Sequence, residues 1–487
     1  MKAILEERVF SIMQNGASRR AISGLVRAGL RNRVTRRALI NAVERATRRM
    51  SFSGPERPDR VLEDRYYMGR ALLHSIEKAF DAGIFSKNCV RALSDVLLGR
   101  YYIEGIHHRR TFKDTHGFPP PGFVTISPTN VCNLKCIGCY AGDIYTKHTL
   151  PFSLFDRVIS DIKEQFGTSF FVISGGEPFA YRDGEATLCD ILKRHPDAYF
   201  MGYTNGTLIT EEVAGRLAEL GNFTPAISVE GFEKETDARR GKGIHRRILA
   251  AMENLRKAGV PFGISATPTR HNAEILLSDE FVNFYFEEQK ALYGWYFQYM
   301  PIGRAPSVDL MVTPEQRVAM FRRIWSLVRE RQLFIGDFWN SGTASDGCMA
   351  AARGGGYFYI MWDGTITPCV FVPFKDREFG SLHDLYASGK TITDAISSPL
   401  FTAIREWQDA YWRTQPKHQC GNLLAPCAIR DHCEHFAEVV RKTGAVPVDE
   451  GAQEFLRFVA NGCLPAYNRA YRQLTDPVWE KEYLGRT

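Results

Sequence analysis

From residue 122 onward, short β-rich runs alternate with segments of helical period, and that alternation restricts the chain to few folds. The expected strands are 122–128, 169–174, 198–204, 223–229, 261–267 and 294–300. Helices are expected near 153–166, 185–195, 210–220, 244–259, 274–289 and 313–332. Six β-α repeats in a row imply parallel strands joined by right-handed helical crossovers. Six units are too few to close an eight-stranded barrel. The expected fold is therefore α/β, an open partial (β/α)6 TIM-like barrel, whose chemistry would collect at the C-terminal ends of the strands.

The loop after the first strand reads Cys132-Asn133-Leu134-Lys135-Cys136-Ile137-Gly138-Cys139-Tyr140. Three thiolates at i, i+4 and i+7 can hold three irons of a [4Fe–4S] cube, whereas a complete cysteine set is four. One iron would then stay open. Zinc sites more often show close cysteine pairs, with a second pair elsewhere. Zinc-binding or simply buried thiols are the alternative for the triplet taken alone. The second strand runs into Ser174-Gly175-Gly176-Glu177-Pro178. Paired glycines at a strand end let backbone come close to a ligand. Glu177 can accept a charged hydrogen bond from an ammonium group.

The triplet closed by Tyr140, with Gly-Gly-Glu-Pro one repeat later, resembles the signature of the radical S-adenosylmethionine (SAM) enzymes. The resemblance implies that Cys132, Cys136 and Cys139 bind a [4Fe–4S] cluster and that SAM chelates its open iron. An electron from the cluster would split SAM into methionine and a 5′-deoxyadenosyl radical. It further implies that Gly175, Gly176 and Glu177 hold the methionine end, with Asn205 on the ribose side. Ser228 and Arg240 would contact SAM, and Tyr140 would lie near the adenine. Relatives commonly carry Ser-Ile-Asp-Gly where this chain has Ser228-Val229-Glu230-Gly231, so Glu230 departs from the pattern. The plainer readings are a turn at Asn205-Gly206, a solvated charge at Arg240 and a core tyrosine at Tyr140. Tyr299-Met300-Pro301-Ile302-Gly303-Arg304 resembles the sixth strand end of relatives with extra clusters.

Six further cysteines follow: Cys348, Cys369, Cys420, Cys427, Cys433 and Cys463. Asp363-Gly364 marks a hairpin turn between apolar runs. Cys348, this hairpin ending in Pro368-Cys369, and the late cysteine group resemble the SPASM extension, which holds one or two auxiliary [4Fe–4S] clusters. The match is incomplete, because Ala437 and Gly354 stand at or near places where cysteines are usual. Cys420, Cys427, Cys433 and Cys463 can make one fully ligated cluster, leaving Cys348 and Cys369 as a pair. A second cluster would then be lost, or open with unusual ligands. Alternatively Cys348, Cys369 and two late cysteines surround a single cluster. His432 and His435 are read as supporting or surface residues, Cys89 and Cys189 as small buried side chains. Structural zinc is the plainer alternative for four of these thiols.

Charge is unevenly placed. Residues 1–60 hold 14 Lys/Arg against 5 Asp/Glu, a net +9, so the other 427 residues carry −2 of the chain's +7. A basic amphipathic helix, or a pair, is expected over 17–50, followed by a turn-rich linker at 51–58. Such a segment can lie on an anionic membrane, bind RNA or an acidic partner, or pack on its own protein. Helix is expected again over 63–106, a connector over 107–121, and a helical cap over 435–487. The domains expected are a basic helical segment 1–60, a helical region with connector 61–121, the partial barrel 122–335 and a cysteine-rich auxiliary domain 336–487.

No stretch of about 18 apolar residues occurs, and the first residues lack a secretory signal pattern. With eleven cysteines, this favours reduced ligands in a cytoplasmic protein, with peripheral contact at the inner membrane surface open to it. The resemblance implies an electron donor such as flavodoxin or ferredoxin. On that resemblance a peptide or protein substrate is favoured. The basic helices speak instead for a membrane lipid or isoprenoid. No nucleic-acid partner is expected, and a non-enzymatic iron–sulfur or zinc scaffold is the remaining alternative.

Overall fold

The computed structural model describes residues 23–24, 26–30, 32–52, 57–141 and 146–486. At its centre lies one sheet: β1 (Val124–Ile126), β2 (Phe170–Ile173), β3 (Tyr199–Thr204), β4 (Phe223–Val229), β5 (Gly263–Ala266), β6 (Gly294–Tyr296), β7 (Ile335–Asp337), β8 (Tyr359–Ile360) and β9 (Ile366–Thr367). The spatial order is β9-β8-β1-β2-β3-β4-β5-β6-β7. Every pairing from β8 across to β7 is parallel, and β8 with β9 is antiparallel. Parallel strands covered on both faces read as continuous apolar runs, which is how β2 looks. All six expected strands are present.

Helices Phe152–Phe166, Leu188–Arg194, Glu211–Leu220, Ile244–Ala258 and Pro314–Glu330 fall where periodicity places them. The expected 274–289 helix is broken. Ser278 adopts extended backbone after Ala273–Leu277, then accepts from the Phe281 amide at 3.1 Å to cap a new start. The 107–121 connector is also corrected, because Gly105–His116 is helical and ends at left-handed Gly117. That helix buries only Gly105 and Phe112, so it carries little apolar period to read.

The C-terminal hairpin joins the barrel rather than standing apart from it. Thr125 pairs with Tyr359 and Ile126 with Ile360. The Thr125 and Ser127 amides donate to the Phe358 and Ile360 carbonyls at 3.0 and 2.8 Å. Helices Cys433–Thr443, Glu450–Ala460 and Cys463–Val478 form the expected cap.

Of the expected 17–50 helix, residues 17–22, 25 and 31 lie outside the described residues, as do 53–56 of the linker. Helix Arg33–Phe52 packs on helix Asp59–Asp81. Arg36 is buried, paired with Asp81 and set over the Phe80 ring. Glu44 accepts from Tyr66 at 2.7 Å and meets His74 at 3.2 Å. Part of the basic face is thus used inside the chain. Ile40 is buried, yet Val34 and Met50 are 77% and 74% exposed. Among the described residues no helix is long and apolar enough to cross a membrane.

Candidate active site at the barrel mouth

The triplet loop leaves β1 and is held from three sides. From the β2 side, the Gly176 and Glu177 amides donate to the Thr129 and Val131 carbonyls at 2.8 and 2.9 Å. A Cβ on Gly176 would sit 2.4 and 2.5 Å from the Val131 and Asn130 carbonyl oxygens. The glycine pair therefore admits close approach of backbone to backbone, next to Cys132, as well as lining the cavity. From the β6 side, Gly303 lies against Tyr140 and Cys139, where a Cβ would meet the Tyr140 oxygen at 2.5 Å. The Arg304 amide donates to the Cys139 carbonyl at 3.1 Å. From the β4 side, the Ile137 amide donates to the Arg239 carbonyl at 3.1 Å, and Arg239 Nε donates back to the Ile137 carbonyl at 3.1 Å.

Two site residues have protein partners that their spacing does not show. Glu177 is fully buried and both its carboxylate oxygens are taken. The Thr204 hydroxyl and Phe179 amide donate to one at 2.7 and 3.1 Å, the Asn205 amide to the other at 2.8 Å. It pins the end of β3. Arg240 faces the cavity but is already paired, with its guanidinium 2.5 and 2.9 Å from Glu230. Arg239 pairs with the same oxygen. One Glu230 oxygen thereby meets both arginines. We expect Glu230→Gln to cost about 2 kcal/mol, the range for hydrogen bonds to charged groups. Denaturant unfolding checks this; unchanged stability would mean that something else holds the arginines.

Asn205 bridges to the cysteine loop, its side-chain amide 2.9 Å from Asn133 and 3.8 Å from Cys132 Sγ. Tyr140 meets Ser174 Oγ at 2.5 Å, and Ser228 meets Ser265 at 3.2 Å. Tyr140, Gly175, Gly176, Asn205, Ser228 and Arg240 all line one cavity of about 430 Å³ with the three cysteines. Cys132 is exposed at that cavity, and desolvation by the surrounding protein pushes its thiol up to about 11. The Leu134 amide donates to its sulfur at 3.4 Å.

No three His, Cys, Asp or Glu side chains among the described residues are drawn to metal-ligating geometry. The donor set nonetheless fits an iron–sulfur cluster, being three thiols on one loop, open to a cavity and served by N–H donors to sulfur.

A second thiol group lies behind the cavity. The Cys427 thiol donates to Cys348, which lowers Cys348 to about 6 and raises Cys427. Cys369 is pushed up to about 12, by burial first and then by the charge of Cys348. The Tyr357 hydroxyl lies 2.9 Å from Cys369 Sγ. The other late cysteines have separate surroundings. Cys463 is exposed, Cys433 accepts from Asn468 at 3.1 Å, and Cys420 faces the Trp412 carbonyl at 3.9 Å. Among the late cysteines, Cys427 is the one whose thiol meets Cys348. Burial holds His432 below its usual value, and it sits 3.0 Å from the Ala425 carbonyl against Tyr411 and Trp407. Cys89 and Cys189 are buried, as expected.

Fold and site together define a parallel β/α enzyme with a thiol triplet at its mouth and a cysteine-bearing hairpin built into its sheet. Residues 126–276 match the radical SAM superfamily model. Mycofactocin maturase MftC of Mycolicibacterium smegmatis is 30% identical over 355 residues, spanning 68% of this chain and 82% of that protein. The same maturase of Mycobacterium ulcerans is 29% identical over 353 residues, spanning 69% and 87%. Streptococcus suis SuiB bound to precursor peptide SuiA shares the fold, with a TM-score of 0.51 and 19% identity, covering 68% of this chain and 77% of that one. The chain belongs to the radical SAM superfamily and carries a C-terminal auxiliary domain. It is an enzyme of a family whose cofactors are a [4Fe–4S] cluster and SAM.

Proposed function

We propose that Cys132, Cys136 and Cys139 hold the [4Fe–4S] cluster that binds SAM. When bound, this pair supplies one-electron cleavage of SAM and a 5′-deoxyadenosyl radical that takes a hydrogen atom from an unactivated substrate C–H bond. The chain's own part is to position and to exclude water. Glu177 and Gly176 fix the loop on β2. Asn205 places an amide beside Cys132. Glu230 orients Arg239 and Arg240 at the rim, where a carboxylate would be received. The observation that carries this reading is the shared cavity of the triplet and the strand-end residues. Cys348, Cys369 and Cys427 are the core of one auxiliary cluster, and residues 336–487 are the domain that houses it. An external electron donor such as flavodoxin or ferredoxin is the partner this chemistry needs.

Two substrate classes have support. The maturase relatives and the peptide-bound SuiB favour a peptide or protein. The apolar interior of the cavity favours a membrane lipid or isoprenoid, with the basic N-terminal helices as a peripheral membrane contact. The test is anaerobic. Iron-loaded protein given SAM and dithionite should release 5′-deoxyadenosine and carry about eight irons, from two four-iron clusters. No release would sink the chemical reading, and about four irons would remove the auxiliary cluster.

A further inference from the structure

The cavity does not stop at the strand ends. It runs down through the sheet's concave interior past Val172, Met201 and Tyr203 to Trp295 and Phe334, and it is floored by Met68. A barrel of this kind ordinarily fills its interior with packed side chains. Here several interior aromatic rings, among them Phe170, Trp295 and Phe334, are only half-buried, because they face the hollow. The floor is part of the fold. Met68 lies on helix Asp59–Asp81, whose Ser75 hydroxyl accepts from the Phe334 amide at 3.1 Å.

Several polar side chains along this path are paired with one another, while Trp295 Nε1 and Gln298 Oε1 find no partner. Ser228 and Ser265 share a hydrogen bond at 3.2 Å. Gln298 donates to Asp337 at 2.7 Å, and Asp337 also accepts from the Trp339 and Asn340 amides at 3.0 and 3.2 Å. A peptide threaded here would bring one N–H and one C=O per residue, each costing about 1–3 kcal/mol if left unpaired. A hydrocarbon carries no such groups, and each buried CH₂ gains about 0.8 kcal/mol.

We propose that the interior slot binds an aliphatic or prenyl chain, with its polar end toward the cysteine mouth and its tail on Met68. This inference rests on the lipid reading above and goes further by fixing how the chain lies and what measures its length. The helix carrying Met68 is also the one on which Arg33–Phe52 packs, with Val34 and Met50 exposed beside its arginines. The face that could touch a bilayer and the floor of the slot thus belong to neighbouring helices.

The test uses iron-loaded, full-length protein and the fluorescent polyene parinaric acid as probe. Wild type should bind the probe, and both dodecanol and the longer geranylgeraniol should displace it. Met68→Trp raises the floor. It should weaken geranylgeraniol by at least tenfold and change dodecanol by less than twofold. Retained dodecanol binding shows that the variant is folded. Equal loss of both chains, no change in the length limit, or no probe binding by wild type would overturn the proposal. Displacement by an apolar peptide but by neither alcohol would overturn it in favour of the peptide class. The same samples are assayed for 5′-deoxyadenosine. Protein that cleaves SAM but ignores chains refutes the slot alone, whereas protein that binds chains but never cleaves SAM refutes the chemistry alone.

Discussion

Replacing Cys136 with alanine is expected to lower 5′-deoxyadenosine formation more than about 100-fold, beyond the 10–100-fold that loss of a supporting residue around a metal costs. Cys136 lies between the other two cysteines of the loop, and all three line the cavity. A two-thiol remnant cannot hold a cube with one open iron. The variant should also carry about four irons fewer than wild type. The fold should survive, since Cys136 is only partly buried. Iron content, 5′-deoxyadenosine yield and thermal unfolding, measured on one preparation, check the three statements together. A variant that still cleaves SAM would show that the cluster is held elsewhere.

The largest stability effect should come from the other end of the molecule. Arg317 and Asp431 form a bidentate pair at 2.6 and 3.1 Å, with both side chains almost fully buried. The guanidinium lies 3.7 Å over the Tyr471 ring, and Asp431 also accepts from the Cys427 amide at 3.1 Å. Removing one partner of such a pair strands the other charge and costs about 3–5 kcal/mol. Asp431→Ala should therefore shift denaturant unfolding by about that amount and loosen the turn that carries Cys427. Iron bound at the auxiliary site should fall with it. Arg317→Met with Asp431→Leu should recover much of the loss, because no charge is left unpaired.

The pair also sets a pH dependence. Burial pushes the Asp431 carboxyl up, but Arg317 and then Arg430 outweigh it and hold it below the usual carboxylate range. A depressed carboxylate contributes stability above its unfolded pKa of about 3.9 and loses it as pH falls toward the folded value. Wild type should accordingly lose stability in acid more steeply than the double variant. Parallel acid profiles would mean that Asp431 is not ionised in the native state.

The parts of this molecule legible in sequence are those whose signal is local. Period-two and period-3.6 runs mark β1 to β6, and the thiol triplet is one short loop. Strand β7 escaped because three residues after a long helix carry too little pattern. The Gly105–His116 helix escaped because it presents almost no apolar stripe. Roles were harder than positions. Glu177 and Arg240 lie where expected, yet Glu177 points inward to Thr204 and Asn205, and Arg240 is held by Glu230. Those partners come from tertiary approach between strand ends. Likewise, no spacing rule says that Cys427 meets Cys348 rather than Cys433. Arg239 and Met68 went unmarked, although the adjacent arginines after Glu230 were a visible hint.

The register of β8 against β1 sets a limit on how this chain can be divided. The β1 edge gives its amides to the Gly356, Phe358 and Ile360 carbonyls. A fragment ending near residue 335 would lose those partners and leave a buried, apolar strand with a bare row of polar groups. Such an edge recruits other strands, so the fragment should aggregate rather than fold. The sheet is thus completed by a hairpin that follows the barrel's last parallel strand in the chain. On the ribosome, the nascent triplet loop would wait without its sheet neighbour until that hairpin emerges.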